Sequence, residues 1–170
     1  MHTMAIDSFV PMLESLSAIL DKGAAHAKST GLELVSARLA PDMFTLVQQV
    51  QLACDHARDS VSRLTGKEPP RVENSERSLD DLKARIANTI TCLNSIEARA
   101  FEGAEDRDCS IPIPNNLVIS MNGLQFLRVW ALPHFYFHVV TAYDILRHHR
   151  VVIGKQDYLS QVGSFIRPRK

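Results

Sequence analysis

The sequence predicts an all-α protein: an antiparallel four-helix bundle with a small irregular or hairpin insertion before the last helices. Three observations predict it. Apolar residues recur at steps of three and four along three long segments, the spacing of an amphipathic helix. Proline and glycine gather between those segments, where helices stop. The one long stretch that breaks the pattern, from Gly103 to Gly123, is confined to a single place late in the chain. With 170 residues the chain has the size of one domain, spanning 1–170, that can bury a core without disulfides.

The first stripe is Phe9, Leu13, Leu16, Leu20, Ala24 and Ala27. Asp7 or Ser8 is placed to cap this helix with Pro11 in its first turn, where a missing N–H is tolerated, and Ser29-Thr30-Gly31 ends it. The second follows the Ala40-Pro41-Asp42 turn as Leu46, Val50, Ala53, Ala57, Val61 and Leu64, closed by Gly66. Residues 67–77, with Pro69-Pro70, read as a linker. Ser78, with Asp81 three residues on, has the form of a helix start. The third stripe is Leu79, Leu82, Ile86, Ile90, Leu93, Ile96 and Ala100. Pro112, Pro114 and Asn115-Asn116 between two apolar arms predict a small hairpin. Helix resumes at Leu124, Leu127 and Trp130. Pro133 must kink or restart it, giving a final long helix to about His149 and a short helical tail through Tyr158 and Leu159.

The charge balance limits partners. Nineteen basic and nineteen acidic side chains cancel, so no net field draws the chain to nucleic acid or anionic lipid. No signal peptide and no uninterrupted apolar run of membrane-spanning length is read from the sequence. A cytoplasmic protein without a membrane or nucleic-acid partner is expected. Cys54, Cys92 and Cys109 form no CxxC pair and no disulfide framework. No GxGxxG, P-loop, GxSxG or HExxH string is present.

What chemistry the chain can offer lies in histidine. His134 and His138 are four apart on the last helix, on the face that also carries Thr141, Ile145 and His148, so their imidazoles can converge. Two neutral imidazoles can bind a divalent transition metal, and an active site needs a further ligand. His56 on the second helix is the first candidate. Asp55, Gln48 and Gln51 on an adjoining face could supply an oxygen, and His26 stands in reserve. His148 and His149 suit the negative end of the last helix, and His2 is too near the terminus to weigh. The plain alternative is that His134 and His138 are hydrogen-bonded core groups with Gln51 and Asp55 as partners.

The string from Leu132-Pro133-His134-Phe135-Tyr136-Phe137-His138 through Asp144-Ile145-Leu146-Arg147-His148 resembles the signature of an uncharacterised bacterial domain family. So do Ile153-Gly154-Lys155-Gln156-Asp157-Tyr158-Leu159, Arg38-Leu39-Ala40-Pro41-Asp42-Met43 and Gln49-Val50-Gln51-Leu52-Ala53-Cys54-Asp55. That family belongs to the DinB/YfiT-like group of proposed metalloenzymes, and the resemblance covers essentially the whole chain. It implies a four-helix bundle, commonly a homodimer, in which three histidines hold a divalent metal such as Zn or Ni. One family ligand lies on the second helix and two lie four apart on the last. His134 and His138 match the latter pair. Counting back from Gly66, the other ligand falls near Gln51 or Leu52, so the chain departs from the pattern there. His56, one turn beyond Leu52, is the nearest imidazole, with Gln51 or Asp55 as substitutes. The function implied is a metal-dependent enzyme of the thiol-dependent transferase type acting on a small-molecule or thiol ligand, with no catalytic residue named. The alternative is a non-catalytic dimeric module that binds a ligand or a protein partner without metal.

Overall fold

The structure, a computed structural model, describes residues 1–68, 71–167 and 169; Pro69-Pro70, read from sequence as part of a linker, lie outside the described residues. The chain is mostly helical. Helices α1 (His2–Thr30), α2 (Leu46–Thr65) and α3 (Leu79–Asn94) are followed by a 3-10 turn, Ala98–Phe101, and a two-stranded hairpin, β1 (Ile111–Ile113) and β2 (Leu117–Ile119). The short helix α4 (Gly123–Gln125) then runs through a π-helical segment, Phe126–Ala131, into α5 (Leu132–His148). A short α6 (Lys155–Tyr158) and a 3-10 turn, Ser160–Phe165, close the fold.

Helix α1 begins five residues before the Asp7 expected from sequence, so Pro11 sits inside it and not in its first turn. Ala5 and Ile6 carry the buried stripe of Phe9, Leu13 and Leu16 one turn further back, and that burial outweighs the missing proline hydrogen bond. The carbonyl that Pro11 cannot reach is that of exposed Asp7, where water can satisfy it. By length and mean composition alone α1 could cross a membrane, but charged residues interrupt its apolar run and more than half of its most apolar window is buried inside the protein.

The helix ends read at Gly31, Gly66 and Ser78 are present. At the start of α2 Gln48 reaches back to Thr45, its Oε1 accepting from both the Thr45 N–H and the Thr45 hydroxyl at 2.9 Å. Gly66 ends α2 in the left-handed conformation at φ 68°, which glycine adopts without the Cβ penalty. Ser78 and Asp81 form the capping box expected for α3, the Asp81 N–H donating to Ser78 Oγ at 3.1 Å and the Ser78 N–H to Asp81 Oδ2 at 2.9 Å. Helix α3 stops at Asn94, short of Ile96 and Ala100. The chain turns there and sends Phe101 into the core. Asn115 and Asn116 take positive φ at the hairpin tip, as asparagine tolerates.

The four long helices pack side by side. Helix α2 lies against α3 and α5, and α1 lies against the same two, so α1 and α2 are diagonal. Apolar side chains fill the space between them, with Phe9 of α1 meeting Phe135 of α5 edge to face at 4.9 Å between ring centroids, a favoured aromatic geometry. Gly123 marks the tightest approach, since a Cβ there would collide with the backbone carbonyl of Ala104 and crowd Leu64. A Gly123→Ala substitution is therefore expected to destabilise the protein by about 2 kcal/mol or more, read as a lower urea midpoint with unchanged slope. A change within half a kcal/mol would contradict this close packing.

Candidate functional site

Helices α2 and α5 bring His56, His134 and His138 together. The His56 ring lies 5.2 Å, centroid to centroid, from each of the other two. On α5 the four-residue spacing puts His134 and His138 on one face. The π-helical segment before them, with its wider turn, lets the Leu132 N–H reach the Leu127 carbonyl; Pro133 follows at once, inside a continuous helical run where an ordinary α turn would set its ring against the carbonyl four residues back. Single wide turns of this kind are common beside functional sites.

Each α5 imidazole is held by its Nδ1. The His134 Nδ1–H donates to the Trp130 carbonyl at 2.8 Å, a group that can only accept. His138 Nδ1 meets Gln49 Oε1 at 2.7 Å in a buried bond. The other end of the Gln49 amide, Nε2, points to the Phe44 carbonyl at 3.4 Å, which fixes the amide with its oxygen toward the ring. Both histidines are therefore Nδ1–H tautomers with a bare lone pair on Nε2. No hydrogen bond reaches the His56 ring among the described residues.

The cluster favours neutral imidazoles. Burial, reinforced by the neighbouring His56 and His134, pushes His138 from the ordinary 6.5 down to about 4. Burial and then His134 also lower His56, against an opposing pull from Asp59 and Asp55. Burying a positive charge without a partner is costly, so the neutral form wins.

These are the properties of ligating histidines: deprotonated, with the second nitrogen tied to an acceptor that orients the ring. The rotamers are less suited. His56 stacks on His138 with the ring planes 12° apart, and imidazole lone pairs lie in the ring plane, so these two do not aim at a common point. Among the described residues no group of three His, Cys, Asp or Glu side chains stands ready to hold an ion. The donor set fits a divalent metal; the rotamer of His56 must turn for it to do so.

The oxygen donors read from sequence are engaged elsewhere, Gln48 Oε1 at Thr45 at the start of α2. Gln51 Nε2 donates to Glu76 Oε2 at 2.7 Å. Asp55 takes Arg58 and, at 2.7 Å, Arg85. Nor are these two the hydrogen-bond partners of His134 and His138, as the plain alternative expected; the partners are the Trp130 carbonyl and Gln49. Gln51 and Asp55 point to the α3 side of α2, whereas Gln49 lies seven residues before His56, two turns back on the same face. That spacing was the available signal for Gln49. His26 sits late in α1, with its buried Nε2 unpartnered among the described residues. His148 and His149 pair edge to face at the end of α5, and His2 Nε2 contacts the Ile96 carbonyl at 3.2 Å.

Two openings flank the cluster. One, of about 660 Å³, runs from Leu52, Asp55 and His56 to Arg71, Val72 and Glu73 on the α2–α3 loop. The other is a shallow depression of about 410 Å³ lined by Pro133, His134, Phe137 and His138. The loop is anchored by Glu76, whose carboxylate bonds Arg85 at 2.8 Å through Oε1. Burial works against its ionisation, but the hydrogen bonds from Arg85 and Gln51 prevail and hold it below the ordinary carboxylate range. Cys54, buried against α3, is pushed up to about 11 by burial, which makes it a packing thiol and not a nucleophile.

Comparison with known proteins defines the class. A family model described as a domain of unknown function, DUF1993, matches residues 1–159. A DinB family member protein from Shewanella denitrificans, known from its crystal structure, is 37% identical. The match covers 99% of this chain and 94% of that one, with a TM-score of 0.86. The chain belongs to the DUF1993 family, within the DinB-like proteins. No curated protein matches it.

The depressed His138 pKa sets the pH response of the metal-free protein. The unfolded chain takes up this proton near 6.5 and the folded one only near 4. The contribution is thus complete above pH 6.5, falls as pH drops through that window, and is exhausted below about 4. The loss is on the order of 3 kcal/mol, measurable as a urea midpoint that declines over this range in chelator-treated protein but declines less in His138→Phe. Parallel curves for the two proteins would contradict it.

Proposed function

We propose that this protein is a divalent-metal-dependent enzyme of the DinB type, with His134, His138 and His56 as ligands to Zn or Ni. The observation that carries this reading is the pair of Nδ1–H bonds, His134 to the Trp130 carbonyl and His138 to Gln49, which leaves both Nε2 lone pairs bare beside His56. The four long helices, read as an antiparallel bundle, hold these groups from facing elements. A bound divalent ion would serve as a Lewis acid that lowers the pKa of a coordinated thiol. The protein's own part is to keep His56 and His138 neutral, to orient two imidazoles through Gln49 and Trp130, and to leave the openings beside His56 and His138 for a small-molecule thiol and its acceptor. A thiol-dependent transferase is the activity this arrangement suits.

One observation favours the second reading, a non-catalytic helical module without metal. The parallel stacking of His56 on His138 and the buried His138–Gln49 bond are also what a satisfied polar core displays.

Metal analysis separates the two. Protein purified without a His tag is expected to contain, or to load, one Zn or Ni per chain, and the His134→Ala/His138→Ala double variant to hold none while keeping its helix content. Parent protein that refuses both metals would end the enzymatic reading. Gln49→Leu provides an independent check: loss of this orienting bond is expected to weaken metal binding roughly tenfold or more with the three histidines intact. An unchanged affinity would remove Gln49 from the site.

A further inference from the structure

Two of the three clustered imidazoles have an acceptor for their Nδ1–H, and the third has none. His134 is held by the Trp130 carbonyl and His138 by Gln49, while no hydrogen bond reaches His56 among the described residues. His56 is also the ring that must turn. It stacks on His138 with the planes 12° apart, so its lone pair runs alongside that of its neighbour instead of converging with it. A ring free to choose its orientation holds an ion less tightly than one already fixed by a second bond.

The surroundings of His56 supply a means of fixing it. The ring lines an opening with Leu52, Asp55, Asp59 and Glu73. Neither of the other two histidines lines that opening, so it lies on the far side of the ring from them. When one imidazole nitrogen binds a metal, the hydrogen bond made by the other sets the ring. Turning Nε2 toward the cluster sends Nδ1–H toward the opening, where an acceptor must meet it.

Three carboxylates line that space. Of these Asp59 pulls hardest on His56 and Asp55 next, which places both nearer the ring than Glu73 on the loop. Asp55 is already shared by two guanidiniums, Arg58 and Arg85, and with Glu76 they form a set whose charges cancel. Asp59 differs. It is half exposed, and its one partner among the described residues is Arg63, at 3.5 Å from Oδ2, beyond the usual hydrogen-bond length. Its Oδ1 is unengaged among the described residues. It stands three residues after His56, a neighbour on the helix surface.

We propose that Asp59 is the positioning residue of His56: as a divalent ion enters, the ring turns, its Nδ1–H donates to Asp59 Oδ1, and its Nε2 joins those of His134 and His138. This inference rests on the metal reading above and adds to it the acceptor that the third ligand lacks. It also supplies charge. Three neutral imidazoles leave an ion both of its positive charges, and Asp59 is the carboxylate beside the cluster that its own cation holds most weakly. A carboxylate behind an imidazole makes it a stronger donor than a neutral acceptor does.

Zn titration of the full chain against a competing chelator, with His134 and His138 intact, tests the assignment. Asp59→Ala is expected to weaken Zn binding roughly tenfold or more, and Asp59→Asn, which keeps an acceptor oxygen, to weaken it less. Because the effect acts through His56, Asp59→Ala is expected to add nothing in a His56→Ala background. Arg63→Ala removes the same ion pair and is expected to leave the affinity as it was or raise it; a merely structural pair would make it as harmful as Asp59→Ala. Nitrogen NMR of the Zn-loaded protein gives a readout apart from affinity. The His56 Nδ1–H is expected to be protected from exchange in the parent and exposed in Asp59→Ala, with His134 and His138 unchanged. Unaltered Zn affinity in Asp59→Ala, or an equal loss in the His56→Ala background, would overturn this inference and leave the metal reading standing. A parent that takes up neither Zn nor Ni overturns both.

Discussion

The hydrogen bond between His138 and Gln49 is the interaction around which the rest of the site is arranged. It joins α5 to α2 through two side chains that are almost wholly buried, where an unmatched polar atom would be costly. It engages the Nδ1 proton and fixes the ring, while burial keeps positive charge out of the interior. His56 can lie face to face with His138 only because both rings are neutral; two imidazolium ions at that separation would repel strongly in so dry a setting. One glutamine thus sets the ring on which His56 stacks.

Helix α2 is organised in three faces. One is apolar and packs into the core. The face bearing Gln49 and His56 meets α5. The remaining face carries Gln51, Asp55 and Arg58 and joins Arg85 of α3 and Glu76 of the loop in a connected set of ion pairs. Buried charges contribute little net stability when paired, yet removing one partner leaves the other stranded. Their role here is better described as placement: Glu76 anchors the loop that supplies Arg71 and Glu73 to the opening beside His56. Ion pairs on one face of α2 thereby shape access to imidazoles on another.

Much of this architecture was legible in the sequence, and the failures have physical causes. The stripes of α2 and α3 were readable because their apolar residues at steps of three and four are the ones that enter the core, although Gln49, Arg58 and Arg85 are buried beside them, and because the caps at Ser78, Gly66 and Gly31 use residues with a specific backbone or side-chain role. The start of α1 was misplaced because a local rule, that proline belongs in a first turn, was given more weight than the burial of Ala5 and Ile6. The three histidines were individually legible, since four-residue spacing on α5 and proximity to the α2 stripe are properties of one helix at a time. Their mutual orientation was not, because it depends on how α2 and α5 cross. Gln51 and Asp55 were assigned to the wrong face. Their turn of helix looks inviting beside His56, but a step of seven residues, not of one or five, preserves direction. The covered and uncovered sides of α5 were equally out of reach, as Phe135 and Phe137 are alike in sequence and opposite in burial.

The wide turn at Phe126–Ala131 makes the imidazole cluster sensitive to a length of chain that contains none of its members. A π turn accommodates one residue more than an ordinary helical turn. Were that turn to close into a uniform α-helix with the chain length unchanged, everything downstream would rotate by about 100° about the helix axis. His138 would leave Gln49, and the aromatic now facing outward would be turned toward the core. The irregular turn is in that sense an indexing device, setting which side of α5 is chemistry and which is surface.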